Sequence, residues 1–137
     1  MNNRQGFTLI ELLVVVLIMG ILASVAMPQY FKSVEKSRAA EATSVLSSIA
    51  SAQERAYMQK GSYVTKLEDL DVGVSNLSYF TVSSGPGATT TMKRLINAGG
   101  GLNEYTITLK LPDTPGTGIR TWSCSPTDKG CNSMLPQ

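Results

Sequence analysis

The sequence predicts an α+β fold, in which a long N-terminal helix packs on a small antiparallel sheet of about four strands. Three observations support this prediction. Residues 7–31 form an apolar run with a single charged residue, Glu11. Helical periodicity then continues to Lys60, and short strand-like segments separated by turns follow Gly61. The chain of 137 residues has room for one ordinary domain.

The composition disfavours several classes of enzyme and metal protein. The chain has no His and two Cys, so it lacks the commonest general base and the ligands of a zinc site. We therefore expect no catalytic, cofactor or metal site. The net charge of +2 gives no indication of a nucleic-acid partner. Residues 12–31 contain no charged side chain, which favours a membrane-associated chain with a polar head.

The first helical segment, residues 7–31, is long enough to cross a bilayer. Its 25 residues would extend about 37 Å as a helix, compared with a hydrocarbon core of about 30 Å. Gly20 and Pro28 disfavour helix in water by about 1 and about 3 kcal/mol relative to Ala. We therefore expect a helix bend at Pro28, with local unwinding between Gly20 and Pro28.

The second helical segment, residues 32–60, is amphipathic. Serine and charged residues mostly fall off an apolar stripe, which predicts one face buried against a head formed by residues 61–137. Gly61 follows the last helical residue, as is common at a helix C-terminus. The stripe consists of Ala42, Val45, Leu46, Ile49, Ala52 and Ala56.

Glu11 is the anomaly of the apolar run. A carboxylate within such a span costs about 2.5–3.5 kcal/mol on insertion scales. One interpretation is that Glu11 is merely tolerated near the membrane surface. The other interpretation is that Glu11 is functional, which requires a cation at the same depth in the membrane. Cleavage between Gly6 and Phe7 would create an amine four residues from Glu11, and between staggered chains the two charges would neutralise each other and fix the axial register.

The N-terminal sequence resembles that of type IV pilins and related pseudopilins. The similarity is carried by GFTLIE at residues 6–11, the apolar run after it, and Pro28 late in the span. It implies that residues 1–6 are a class III leader, which a prepilin peptidase removes after Gly6. It also implies N-methylation of the Phe7 amine and an ion pair between this amine and Glu11 of a neighbouring subunit.

The resemblance further implies a location and a set of partners. The chain would lie in the inner membrane before assembly, and an assembly platform with its ATPase would polymerise it into a homo-oligomeric helical filament. The mature product would be an extracellular pilus filament on the cell surface. The alternatives are a minor pilin, or a major pseudopilin of type II secretion that forms a periplasmic rod. A distant alternative is a membrane-anchored binding module.

Two other interpretations of the N-terminus are less favoured. A secretory signal peptide could be cleaved after residues 24–26 (SVA), but Glu11 interrupts its apolar region and Arg4 gives a weak basic segment. The second interpretation is a plain single-pass membrane anchor. The excess of positive charge in residues 32–38 would by itself place the head in the cytoplasm. That rule is weaker for long translocated domains, and the cysteines favour the outside.

The head contains four strand candidates, which short links would join as an antiparallel meander. The third is the clearest because apolar residues alternate with Thr and Lys. Tyr79, Phe80, Tyr105 and Trp122 would lie in the core of the sheet or contact other subunits. The four candidates are residues 77–83, 89–97, 104–111 and 119–125. In the connector before them, Leu67, Leu70 and Val72 would cover the helix.

We expect Cys124 and Cys131 to form a disulfide, because an extracytoplasmic head is oxidised and the six residues between them suit a turn. The acidic run in residues 68–71 lacks the spacing of a calcium loop, so we expect no metal there. The glycines at 99–101 are predicted to form a turn, as no phosphate-binding motif surrounds them. Asp113 and Asp128 are predicted turn residues.

Overall fold

A computed structural model describes residues 6–85, 87–95, 104–126 and 131–136. The predicted α+β fold is confirmed. The chain divides into two compact units, Met1–Val34 and Glu35–Gln137. The elements are α1 (Leu9–Lys60), a 3₁₀ turn (Leu67–Asp69), β1 (Phe80–Ser84), β2 (Thr89–Arg94), β3 (Thr106–Lys110), β4 (Thr121–Ser125) and a second 3₁₀ turn (Cys131–Met134).

In the first unit, α1 exposes its apolar side chains. Every described residue up to Ser33 is exposed in the single chain. Among the described residues, α1 is the one helix long and apolar enough to span a membrane. Its backbone is helical through Gly20 and Pro28, so the unwinding expected between these two residues is not present in the single chain. The bend at Pro28 stays a prediction.

In the second unit, the apolar stripe of α1 is buried as predicted. Leu46 and Ile49 are its large members, and small alanines occupy the other fully buried positions. Val45 is half-buried at the edge of the stripe. Gly61 ends the helix with φ +72°, and its N–H bonds to the Tyr57 carbonyl at 2.8 Å.

The four strands form an antiparallel meander in the order β1-β2-β3-β4, as predicted. Side chains alternate between faces, so Met92, Ile107 and Leu109 point into the core. β1 begins at Phe80 instead of residue 77, because the Glu41 carboxylate binds the backbone N–H groups of residues 78 and 79. The end of the second predicted strand, at residues 96–97, lies outside the described residues.

The connector between α1 and β1 is held by a buried amide. Gln53 is fully buried, its Nε2 donates to the Val64 carbonyl at 2.6 Å, and the Val64 N–H donates to its Oε1 at 2.9 Å. The amide thus pairs with the backbone as a neighbouring strand would. Leu67, Leu70 and Val72 pack beside it in a small second core, which confirms that they cover the helix.

The predicted disulfide between Cys124 and Cys131 is confirmed, with a Cα–Cα distance of 6.0 Å. Phe80 and Tyr105 are buried with their rings edge to face at 5.8 Å, while Tyr79 and Trp122 pack at the edge of the core. Asp113 lies at a bend, as expected. The predicted turns at residues 99–101 and at Asp128 lie outside the described residues.

We expect loss of the disulfide to destabilise the head measurably. Closing a loop of this length stabilises by about 2.5 kcal/mol in the chain-entropy model. The double variant Cys124→Ser/Cys131→Ser should lose about this free energy of unfolding, measured by urea denaturation of the full chain in detergent. A reductant should destabilise the wild type equally and leave the variant unchanged. Equal stability of the wild type and the variant would contradict the prediction.

Candidate functional sites on the N-terminal helix

The start of α1 is closed by a capping box formed by Thr8 and Glu11. The Thr8 N–H donates to Glu11 Oε2 at 2.8 Å, and the Glu11 N–H donates to Thr8 Oγ1 at 3.3 Å. The Thr8 hydroxyl also donates to Oε2 at 2.7 Å. Glu11 therefore satisfies helix donors in the single chain, a role that our sequence analysis missed although the T-x-x-E spacing signals it.

The capping box leaves part of the Glu11 carboxylate available. Its hydrogen bonds among the described residues all use Oε2, so Oε1 can still accept from a cation. The surroundings are apolar, since a shallow groove beside Glu11 is lined by Phe7, Ile10, Val14 and Val15. In the uncleaved chain the nitrogen of Phe7 belongs to a peptide bond. The ion pair with Phe7 therefore stays a prediction.

The second unit begins with a buried carboxylate, Glu35, which is 2% exposed. The Arg94 guanidinium donates two hydrogen bonds to this carboxylate, from Nε to Oε1 and from Nη2 to Oε2, the latter at 3.0 Å. The Tyr105 hydroxyl donates to Oε1 at 3.0 Å, and Arg38 Nη1 donates to Oε2 at 3.3 Å. We call these four residues the Glu35 cluster. It joins α1 to β2 and to the start of β3.

The pairing keeps Glu35, Arg94 and Tyr105 in their ordinary charge states. Burial raises the pKa of Glu35, but the hydrogen bonds from Arg94 and Tyr105 outweigh this effect and lower the pKa overall. The hydrogen bond to Glu35 raises the pKa of Arg94. Burial, and then the charge of Glu35, raise the pKa of Tyr105. A carboxylate, a guanidinium and a neutral phenol donor therefore coexist within the head.

Two further carboxylates on α1 hold other parts of the sheet. Glu41 accepts the backbone N–H groups of Ser78 at 2.7 Å and Tyr79 at 2.8 Å, just before β1. Glu54 binds Arg120, just before β4, with contacts of 3.1 and 2.8 Å. Together with the Glu35 cluster, these contacts tie all four strands to one helix.

These anchors were not predicted from the sequence, although one of them has a local signal. Glu35 stands four residues before Ala39 and seven before Ala42, both fully buried, so it continues the apolar stripe toward the N-terminus. A charged residue on a buried stripe requires a buried partner. The identity of that partner, 59 residues further along the chain, has no local signal.

The described residues contain no group of three or more His, Cys, Asp or Glu placed to hold a metal ion. Within the acidic run 68–71, Asp71 instead binds Arg55 through both carboxylate oxygens, at 3.0 and 2.7 Å. This hydrogen-bonded pair lowers the pKa of Asp71 and raises that of Arg55. The pair is largely exposed, so we expect it to contribute little stability.

Two known families match consecutive parts of the chain. The family described as "Prokaryotic N-terminal methylation motif" matches residues 1–27. The exposed apolar half of α1, the small meander packed on the buried half of α1 and this motif together define a type IV pilin, which is a structural subunit and not an enzyme. The chain belongs to the family described as "Type IV minor pilin ComP, DNA uptake sequence receptor", which matches residues 28–117.

Similar curated proteins are also pilins. The Type IV major pilin protein PilA of Myxococcus xanthus is 42% identical over 61 residues, which cover 44% of this chain and 28% of that protein. A fimbrial protein of Pseudomonas aeruginosa is 38% identical over 71 residues, which cover 52% of this chain and 46% of that protein. Fimbrial protein EcpC of Eikenella corrodens is 29% identical over 130 residues, covering 89% and 82%. The chain thus spans less than half the length of the first two.

No solved structure matches the chain. The family nevertheless implies filament assembly with other pilins, and the apolar N-terminal helix fits membrane anchoring before assembly. The described structure thus presents two candidate sites, one in each compact unit. The first is the Glu11 carboxylate in its apolar groove, and the second is the Glu35 cluster.

Glu35 should make the stability of the head depend on pH. Leaving a buried partner charge unpaired costs about 3–5 kcal/mol, so we expect Glu35→Gln to lose about this much free energy of unfolding at pH 7. The pKa of Glu35 is lower in the folded chain than in the unfolded one, so its contribution is present above about pH 4.3 and is lost as pH falls through the folded pKa.

The measurement is urea unfolding of the full chain in detergent at a series of pH values. The wild type should approach the Glu35→Gln variant as the solution becomes acidic. Glu54→Gln is the matched control, because its ion pair is partly exposed and should be worth at most about 1 kcal/mol. A constant difference between the wild type and Glu35→Gln at all pH values would contradict the assignment.

Proposed function

We propose that this chain is a minor pilin that enters a type IV pilus through its N-terminal helix. The observation that carries the proposal is the uncovered apolar surface of α1, on which every described residue up to Ser33 is exposed. Such a surface requires lipid or other apolar helices around it. Glu11 is the single carboxylate within it.

The proposed maturation begins in the inner membrane, where a prepilin peptidase cleaves after Gly6 and the Phe7 amine is methylated. The geometry supports this step, because residues 6–8 are not helical and α1 begins at Leu9. The scissile peptide bond therefore lies in an exposed, non-helical segment, where a peptidase can reach it without unwinding a helix. An assembly platform and its ATPase then add the subunit to a filament on the cell surface.

Assembly needs a source of specificity besides apolar burial. A helix that leaves lipid for a packed apolar bundle gains little, because both surroundings exclude water. The external work of the ATPase would drive this transfer. The pairing of Glu11 Oε1 with the Phe7 amine of a neighbour would then select the axial register, since any other register leaves two charges unpaired among apolar groups.

The matched family favours a minor pilin over the principal subunit of the filament. From the sequence, a type IV pilus subunit was expected, with a minor pilin as one of the alternatives. Similarity to proteins named as pilins and fimbrial proteins, in turn, favours a surface pilus over a periplasmic rod of type II secretion.

Loss of the Glu11 carboxylate should block assembly without blocking membrane insertion. An unpaired buried charge costs about 3–5 kcal/mol, so Glu11→Val should lower the amount of chain in sheared filaments by about 100-fold or more. The measurement is quantitative immunoblotting of filament and membrane fractions. The amount of chain in the membrane fraction should stay as in the wild type.

Val14→Ala is the control for this experiment, since it shortens a side chain in the same groove without changing charge. It should leave the filament fraction within about fivefold of wild type, because a partly exposed methyl pair contributes about 1 kcal/mol or less. Normal incorporation of Glu11→Val, or an equal loss in both variants, would contradict the register mechanism.

A second candidate function is suggested by the printed description of the matched family, which names a DNA uptake sequence receptor. The overall charge had given no indication of a nucleic-acid partner. The outer face of the sheet, however, has a composition that suits contact with phosphates. Opposite the core, β2 and β3 carry Thr89, Thr91, Lys93, Thr106, Thr108 and Lys110.

These side chains form a regular track. Lys93 lies across from Thr106, the Thr91 and Thr108 hydroxyl oxygens are 3.0 Å apart, and Lys110 ends the track. Successive outward positions on a strand are about 6.7 Å apart, comparable with successive phosphates of a nucleic-acid strand. Lysines and hydroxyls are common phosphate ligands. Glu104 forms an ion pair with Lys93 and offsets its charge. Lys110 is therefore expected to attract a phosphate more strongly than Lys93 does.

This candidate predicts that Lys110→Gln weakens binding of the full chain to duplex DNA several-fold. The slope of the logarithm of affinity against the logarithm of salt concentration should fall by about 1, since one phosphate contact is lost. Lys60→Gln, on the last turn of α1, makes the same charge change away from the sheet and should alter neither quantity. No binding by the wild type, or equal effects of both variants, would exclude this face as a DNA site.

A further inference from the structure

Support of α1 by the head begins abruptly at Glu35. The described residues up to Ser33 are exposed, Val34 is half-buried, and Glu35 is 2% exposed. The same position separates the two compact units of the chain. The first residue of α1 that the head buries is therefore a charged one, not an apolar one.

Apolar packing at this end of the helix is slight. From Glu35 to Ser44 the fully buried apolar side chains are Ala39 and Ala42, and the first large one is Leu46. Burying one methyl group contributes about 0.8 kcal/mol. Two alanines therefore hold the first turns weakly, whereas Leu46 and Ile49 supply several times more burial further along.

The Glu35 cluster compensates for this weak packing. Arg94 is the last residue of β2 and Tyr105 immediately precedes β3, and these are the two central strands of the sheet. Both partners are buried, at 2% and 1% exposure. From the helix itself, Arg38 completes the cluster and lies over the Tyr79 ring at 5.2 Å from its centroid.

We propose that the Glu35 cluster is a latch that sets where support of α1 begins. With the latch closed, the sheet holds the helix from Glu35 onward. With it open, residues 35–40 join the unsupported part of the helix, and support begins at the Glu41 contacts and at Leu46. The latch thus controls the length of helix that is free to rearrange, independently of the larger apolar contacts between Leu46 and Ala56.

Hydrogen–deuterium exchange of the full chain in detergent tests this proposal. In Glu35→Gln, residues 36–40 should lose nearly all protection against amide exchange, with rates about tenfold or more above wild type. Residues 46–56 should stay protected, at the level that the lowered free energy of global unfolding allows. Tyr105→Phe removes one hydroxyl donor and keeps the ion pair. It should raise exchange in the same residues by a smaller factor, and it decides the question if Glu35→Gln does not fold.

Glu41→Gln is the control, since it removes another carboxylate from the same stretch of α1. Its backbone partners precede β1, so exchange should rise around residues 78–80 and stay unchanged in residues 35–39. Loss of protection in residues 36–40 while residues 46–56 remain protected, in the Glu35 and Tyr105 variants, would support the latch. Equal protection of the two segments in these variants, which indicates only lower global stability, or no change at all would overturn it.

Discussion

The structure depends on one helix that must satisfy two different environments. In its first half α1 exposes an apolar surface that the described chain does not cover. In its second half it carries a buried stripe and three carboxylates, Glu35, Glu41 and Glu54, each bound to a different part of the sheet. The apolar stripe supplies burial, and the carboxylates determine which strand lies beside which turn of the helix.

Polar contacts serve this purpose well because they are directional. A stripe of alanines and one or two larger residues tolerates small shifts along the helix, whereas the paired guanidinium of Arg94 fits the Glu35 carboxylate in one position. A misplaced sheet would leave that carboxylate buried and unpaired, at a cost of about 3–5 kcal/mol. The proposed filament would use the same principle at Glu11, because an unpaired charge among apolar groups would disfavour every register of a helical bundle except one.

Much of the fold could be predicted from the sequence, because it depends on local patterns. The apolar run, the stripe that includes Leu46 and Ile49, and the alternation in β3 each specify an element without reference to distant residues. The disulfide could also be predicted, because the two cysteines lie close together in the sequence with turn-forming residues between them. The anchors could not be predicted in this way, since the partner of Glu35 lies on another element and Arg94 looks like an ordinary strand residue. The capping role of Glu11 was predictable from the local T-x-x-E spacing at residues 8–11.

The central claim, that the apolar helix enters a filament as a processed subunit, is tested most directly by the N-terminus of the chain recovered from sheared surface filaments. Mass spectrometry of the intact chain should give the mass of residues 7–137 with one methyl group added, and fragment ions should place that methyl group on Phe7. A filament-borne chain that retains residues 1–6, or one that begins at Met27, would contradict the account.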